Sequence, residues 1–245
     1  MAGPRYTIAD IRKSFSAEKA RDELYGDWAS ALIYRPISFW VSPVLIRLSI
    51  GATPVTIFML VLALSLPVLA TVMGPPAHAA IGIAAFACMV LDCVDGNIAR
   101  VTKTSSERGA YLDFLVDIVY RVSAYATLGY LADAEMSSPA MLAGYAFPTV
   151  VLAATISLGA RLCRFKDEQT ATLTYYSPDE AVGGGWIVRF FFPALSGSDR
   201  MLPFLILATS LWGGLGWVVL WILMLSVVDF IYTQAIIFEQ LGKTR

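Results

Sequence analysis

The chain has 245 residues, of which 57% are hydrophobic and only 15% are charged, and its net charge is −1. Soluble domains usually carry about 25% charged residues. A mean hydropathy of +0.65 excludes a single soluble core as the place for all these apolar residues, and it predicts a polytopic membrane protein.

The N-terminal segment, residues 1–54, differs from the rest because it is rich in charge and lacks the apolar core of a secretory signal. Its last part, RPISFWVSPVLIRLSI at residues 35–50, mixes aromatic and aliphatic residues with Arg35 and Arg47. That mixture predicts an amphipathic helix that lies in the membrane surface. A plain helical connector is the alternative.

Six apolar segments follow, and together they predict an all-α transmembrane domain over residues 55–245. A helix needs about 20 residues to cross the bilayer core, so the fifth segment is the least secure. Glycine and proline clusters separate several of them. The segments cover residues of about 55–72, 79–100, 109–132, 139–160, 200–212 and 216–238.

Basic residues alternate along these segments in a way that predicts the topology. Seven precede the first segment, three lie between the second and third when Arg100 at the end of the second is included, five lie between the fourth and fifth when Arg200 at the start of the fifth is included, and two lie in the tail. The turns after the first, third and fifth segments contain none. Because positive residues are retained on the cytoplasmic side, we expect six spans in the cell membrane, with both termini and the site described next on the cytoplasmic side.

Four aspartates lie at the facing ends of the second and third segments, in LDCVDGNIARVTKTSSERGAYLDFLVDIVYR at residues 91–121. Asp92 and Asp95 have the i, i+3 spacing of one helical face, and Asp113 and Asp117 have the i, i+4 spacing. The connection between the two helices is short, so they are expected to be antiparallel neighbours. The two acidic faces are then expected to meet.

Charged residues at such depth are costly and are retained mainly for function or pairing. The spans hold no matching set of bases, so we predict bound divalent metal, and Mg²⁺ or Mn²⁺ suits carboxylate oxygens. Gly96, Ala99 and Gly109 lie on the same faces and leave room for a bulky ligand. Arg100 is either a cytoplasmic anchor or a contact for a phosphate group.

Residues 92–117 read D-x2-D-G-x2-A-R-x8-G-x3-D-x3-D, which resembles the signature of the CDP-alcohol phosphatidyltransferase family at all eight fixed positions. The resemblance implies that the acids hold one or two divalent ions on the diphosphate of a CDP-linked lipid. It implies that Asp92, Asp95 and Asp113 are the principal ligands, and that Asp117 is the general base and also touches metal. It further implies that Gly96, Ala99 and Gly109 line the cytidine site, with Arg100 nearby.

The sequence departs from the family pattern in places that concern the substrates. Thr56 matches a threonine of many relatives or is an ordinary helix-start residue, whereas Thr53 stands where many relatives carry asparagine. The residues after Asp113 and Asp117 do not match the glycerol-phosphate or serine branches, and GAYLDFLVD is mildly similar to the inositol branch. A phosphorylated acceptor would need cations, for which the candidates are Arg121, Arg161, Arg164 and Arg189.

The resemblance thus implies a phospholipid-synthesis enzyme that takes a CDP-lipid donor and a small polar alcohol of the inositol, inositol phosphate or glycerol phosphate type. We expect the bilayer but no nucleic acid as a partner. A homodimer is compatible with the small residues of the third and fourth segments. Two alternatives remain: a Mg²⁺-dependent intramembrane prenyltransferase of the UbiA type, and a cation transporter or channel that uses the acid cluster.

Overall fold

The computed structural model describes residues 6–135, 144–169 and 197–243. Within these ranges, the side chains of residues 22, 25–26, 161, 163–169, 236–237 and 239–243 are outside the description. All regular elements of the described ranges are helical, which confirms the all-α class. They are α1 Ile8–Ser14, α2 Ala17–Gly26, α3 Arg35–Arg47, α4 Ala52–Met73, α5 His78–Val101, α6 Glu107–Ala134, α7 Ala146–Gln169, α8 Leu202–Trp212 and α9 Leu215–Lys243.

Local sequence signals explain where several helices begin and end. Thr7, Ser16 and Ser106 precede α1, α2 and α6, and each side chain accepts a hydrogen bond from a backbone N–H of the first turn. Gly74 and Gly213 follow α4 and α8 with φ of 63° and 74°. Side chains disfavour that backbone region, so glycine suits these two turns.

Within the part of the chain that the structure describes, three helical stretches are long and apolar enough to cross a membrane: Ala52–Met73, Pro75–Val101 and Leu215–Ala235. They correspond to the first, second and sixth predicted segments. The third and fourth correspond to α6 and α7, although the start of the fourth lies outside the described residues. The fifth corresponds to α8, which has only 11 residues. Six spans therefore remain a prediction.

The helices pack as a bundle in which α5 is central. It contacts α3, α4 and α8, while α6 packs on α4 and α7, and α7 packs on α9. Gly129 lies where α6 crosses α7: a Cβ atom there would be 2.8 Å from Phe147 Cα and 2.3 Å from a methyl group of Val150. This small residue of the third segment thus allows close packing within the chain, and the homodimer remains a prediction.

Helix α3 turns an apolar face outward. Ser38, Ser42, Pro43 and Ile46 are buried, whereas Trp40 and Val44, and Leu48 directly after the helix, are exposed. An outward apolar face is what a helix in the membrane surface requires. The structure thus establishes a helix over the predicted stretch, and its place at the interface remains a prediction.

Two acids at the end of α6 act as caps of other helices. Asp133 accepts hydrogen bonds from the backbone N–H groups of Ala146 and Phe147 at the start of α7. Glu135 accepts from those of Gly214 and Leu215 at the start of α9. Carboxylates are favourable at helix N-termini, where the unpaired N–H groups carry partial positive charge.

Candidate active site

The four predicted aspartates come together near the short connection between α5 and α6, two helices that pack mainly on α4 and contact each other less extensively. Asp95 and Asp117 are buried, Asp92 is half-buried and Asp113 is exposed. The charge of Asp92 interacts with those of the other three, and Asp95 also interacts with Asp113. Like charges this close disfavour one another, so the cluster requires positive charge nearby.

A hydroxyl group from α4 supports Asp95. Thr56 Oγ1 donates a 2.6 Å hydrogen bond to Asp95 Oδ2, and both residues are buried. Hydrogen bonds to a buried carboxylate are among the stronger ones in proteins. Thr56 therefore contacts the acid cluster directly, in addition to starting a helix. Its predicted contact with substrate remains a prediction.

Arg200 supplies positive charge to the cluster from the short helical turn Gly197–Met201. Its guanidinium nitrogens lie 3.6 Å from Asp92 Oδ2, 3.6 Å from Asp117 Oδ1 and 3.4 Å from Asp27 Oδ2. The backbone carbonyl of Arg200 accepts a 2.6 Å hydrogen bond from the hydroxyl group of Tyr34. Arg200 thus connects α5, α6 and the N-terminal segment at the aspartates.

Arg121 lies on α6 one turn beyond Asp117. It is buried and forms an ion pair with Asp199, the neighbour of Arg200, and it donates a hydrogen bond to the hydroxyl of Tyr125. A buried cation needs such a partner. The pair fixes the turn that carries Arg200 against α6, and the prediction that Arg121 binds substrate remains open.

Arg100 and the small residues of the motif lie along the C-terminal end of α5 and the start of α6. A Cβ atom at Gly96 would lie 3.1 Å from Arg100 Nη1, so the missing side chain lets the guanidinium fold back over the helix. Arg100 Nη2 donates to Asn97 Oδ1 at 2.8 Å. The backbone N–H of Gly109 donates to Ser106 Oγ, and Ala99 is partly buried.

A cavity of about 520 Å³ opens beside Asp92, between α5 and the N-terminal helices. Polar side chains dominate its lining. Burial lowers the pKa of Lys19, and the positive charges of Arg100 and Arg35 lower it further. The cavity is lined by Ser16, Glu18, Lys19, Glu23, Asp27, Ser30, Arg35, Asp92 and Cys93.

The donor set suits a hard divalent ion because four carboxylates belong to one cluster, and carboxylate oxygens are the ligands that such ions prefer. Within residues 6–135, 144–169 and 197–243, no three His, Cys, Asp or Glu side chains converge at metal-binding distances. The carboxylates would have to rotate toward one another to share an ion, and Arg200 would have to yield its contacts with Asp92 and Asp117.

Sequence reasoning missed several contributors to this site. The sequence places Arg200 only among the basic residues that predict the cytoplasmic side, and it indicates no role at the site for Asp27 or Asn97. A basic residue directly before the apolar stretch of α8 was the available signal for Arg200. Three predicted arginines lie outside the described side chains: Arg161, Arg164 and Arg189.

Comparison with known proteins agrees with the motif. The family model of the CDP-alcohol phosphatidyltransferases matches residues 51–228, which is more than half of the chain. The matched range contains all four aspartates, Thr56 and Arg200. No individual curated protein matches the chain.

Proposed function

Because the chain belongs to the CDP-alcohol phosphatidyltransferase family, we propose that it transfers a phosphatidyl group from a CDP-linked lipid such as CDP-diacylglycerol to the hydroxyl group of a small polar alcohol, and releases CMP. The observation that carries the proposal is the set of four aspartates on α5 and α6, inside the matched range. Members of this family are enzymes that transfer substituted phosphate groups.

Enzymes of this family generally depend on a divalent metal. We assign Asp92, Asp95, Asp113 and Asp117 as the residues that would hold one or two Mg²⁺ or Mn²⁺ ions. When bound, the metal would neutralise the charge of the diphosphate and orient it for attack. The interaction among the four charges supports this assignment, since carboxylates placed together need cations.

Asp117 is assigned as the general base. In the proposed step, its carboxylate takes the proton of the acceptor hydroxyl as the acceptor oxygen forms a bond to the lipid-side phosphorus. The bond between that phosphorus and the CMP oxygen breaks, and CMP leaves with the electron pair. Burial of Asp117 supports this role because it limits the access of bulk water to the base.

The donor and acceptor are assigned to different parts of the site. Gly96, Ala99 and Gly109 would line the nucleotide, with Thr56 and Arg100 beside them. Cations on the α6 and α7 side would accommodate a phosphorylated acceptor of the inositol phosphate or glycerol phosphate type, whereas free inositol would not need them. The acceptor-side candidates are Arg121, Arg161 and Arg164.

The apolar helices and the family indicate an integral membrane protein. We propose six spans with both termini and the active site on the cytoplasmic side, and α3 in the membrane surface. The alternation of basic residues supports this topology, as does the outward apolar face of α3. A homodimer belongs to the same proposal.

A prenyltransferase of the UbiA type and a cation transporter are the competing functions. Both would use an aspartate cluster, but neither accounts for the family match over residues 51–228. Neither would release CMP from a CDP-lipid. An assay of CMP release therefore distinguishes both competing functions from the proposed one.

The test is release of CMP by the purified protein from CDP-diacylglycerol with Mg²⁺ or Mn²⁺. Inositol, inositol phosphate, glycerol phosphate and serine are compared as acceptors, and Asp117→Asn is the control. Release that depends on one acceptor and disappears in the variant supports the proposal and identifies the acceptor. If wild-type protein binds neither metal nor cytidine nucleotide, the proposal is wrong.

A further inference from the structure

Asn97 is a polar side chain with no exposed surface, located between Asp95 and Arg100 on α5. Its side chain contacts two serines of α3 and two arginines. Nδ2 donates to Ser38 Oγ at 2.8 Å and to Ser42 Oγ at 3.3 Å. Oδ1 accepts from Arg100 Nη2 at 2.8 Å and from Arg35 Nη1 at 3.3 Å. Every hydrogen-bonding direction of the amide is therefore used.

The orientation of this amide is determined by its neighbours. A guanidinium group has only donors, so the oxygen of Asn97 must face Arg35 and Arg100. The hydroxyls of Ser38 and Ser42 donate to backbone carbonyl oxygens of α3, which leaves their lone pairs for the amide nitrogen. Rotation of the amide by half a turn would place the donors of Nδ2 against the guanidinium donors of Arg35 and Arg100 and would break both of those contacts.

The two arginines that share Asn97 Oδ1 are also connected to the N-terminal segment. Arg35 forms an ion pair with Glu23 at 2.9 Å and donates to the backbone oxygen of Cys93. The ring of Phe15 lies 4.7 Å from the Arg35 guanidinium and 5.4 Å from that of Arg100. Two like charges this close are tolerated because they share an acceptor and an aromatic face.

We propose that Asn97 is a positioning residue: its side-chain oxygen orients the guanidinium of Arg100 toward the phosphates of the bound cytidine nucleotide. This inference rests on the proposed function, in which Arg100 lies beside the nucleotide. The signature residues Asp95, Gly96, Ala99 and Arg100 surround Asn97, although the signature itself leaves position 97 open.

The test distinguishes the contribution of the amide oxygen, which faces the arginines, from that of the amide nitrogen, which faces the serines. Asn97→Leu conserves volume and removes both the oxygen and the nitrogen of the amide. Asn97→Asp retains an oxygen that accepts from the arginines. The double change of Ser38→Ala and Ser42→Ala removes only the hydroxyl groups that accept from the amide nitrogen. For each variant, the affinity for CMP in the presence of Mg²⁺ is measured by calorimetry, and KM and kcat for CDP-diacylglycerol are measured by CMP release. Thermal stability in detergent reports folding.

We expect Asn97→Leu to weaken CMP binding and raise KM by about tenfold or more, the value of one charge-assisted hydrogen bond, with a smaller effect on kcat. Asn97→Asp and the serine pair are expected to stay within about threefold of wild type, because the acceptor for Arg100 remains. In the Arg100→Ala background, Asn97→Leu should cause little further loss of CMP affinity and little further increase in KM. Should Asn97→Leu not fold, Asn97→Ser, whose hydroxyl is too short to reach the guanidinium groups, replaces it with the same expectation.

An equal loss from Asn97→Leu in the presence and absence of Arg100 would overturn the inference, since the effect would then be structural. So would an Asn97→Asp variant as weak as Asn97→Leu. If wild type binds CMP but releases none from the lipid donor, the proposed reaction fails while the binding measurements still decide the role of Asn97. Absence of CMP binding by wild type overturns both.

Discussion

The hydrogen bond between Thr56 and Asp95 allows a prediction with a defined size. Thr56→Val keeps the shape of the side chain and removes the hydroxyl group that donates to Asp95 Oδ2 at 2.6 Å. Both groups are buried, so water does not replace the lost donor. A hydrogen bond to a charged group contributes about 1.5–3 kcal/mol, and loss of a partner behind a metal ligand typically weakens metal affinity about 10- to 100-fold.

The assay is the Mg²⁺ dependence of CMP release at saturating CDP-diacylglycerol. We expect Thr56→Val to raise the Mg²⁺ concentration for half-maximal activity by about 10-fold or more, and Thr56→Ser to restore it toward the wild-type value. Thr127→Val is the matched control, because Thr127 is also buried but its hydroxyl donates to a backbone carbonyl of its own helix. An unchanged Mg²⁺ dependence in folded Thr56→Val would refute the role of the hydroxyl in supporting Asp95.

The remaining predictions concern stability, measured as melting temperature in detergent. Gly129→Ala should destabilise the bundle by about 1–3 kcal/mol through overpacking, because the new Cβ would lie 2.8 Å from Phe147 Cα; Gly159→Ala, with its nearest contact at 3.8 Å, should be neutral or stabilising, and equal effects would contradict the packing argument. Asp199→Asn should cost about 3 kcal/mol because the buried Arg121 loses the carboxylate with which it forms its ion pair, and a melting temperature like that of wild type would show that the pair is dispensable. Glu135→Ala should cost about 1 kcal/mol because a helix cap is lost, and the melting temperature of Glu135→Gln should lie between those of Glu135→Ala and wild type. Equal melting temperatures of the three proteins would contradict the capping role.

The helices and the aspartates could be predicted because each depends on local patterns. Apolar stretches of sufficient length marked α4, α5 and α9, and the i, i+3 and i, i+4 spacings placed two acids on each facing helix. Glycine at residues 74 and 213 marked helix ends. These features depend on residues that are close together in the sequence, so the patterns predict them without knowledge of how distant segments pack.

The position of Arg200 could not be predicted, because it depends on where the polar connection before α8 returns to the bundle. Residues far apart in sequence fix it: Tyr34 through a hydrogen bond to its carbonyl, and Asp27, Asp92 and Asp117 through charge. The contacts of Asn97 could not be predicted for a similar reason. Its contacts are made by Arg35, Ser38 and Ser42 of α3, and a polar residue in an amphipathic helix does not indicate what it will dock against.

The most direct test of the central claim is the stoichiometry of the reaction in the purified protein. CMP is quantified by chromatography and the new phospholipid by mass spectrometry, with CDP-diacylglycerol, Mg²⁺ and the preferred acceptor present. Transfer at the four-aspartate site predicts one molecule of phospholipid for each CMP, and loss of both products in Asp117→Asn. CMP released without a new phospholipid, or both products formed undiminished by the variant, would contradict the account.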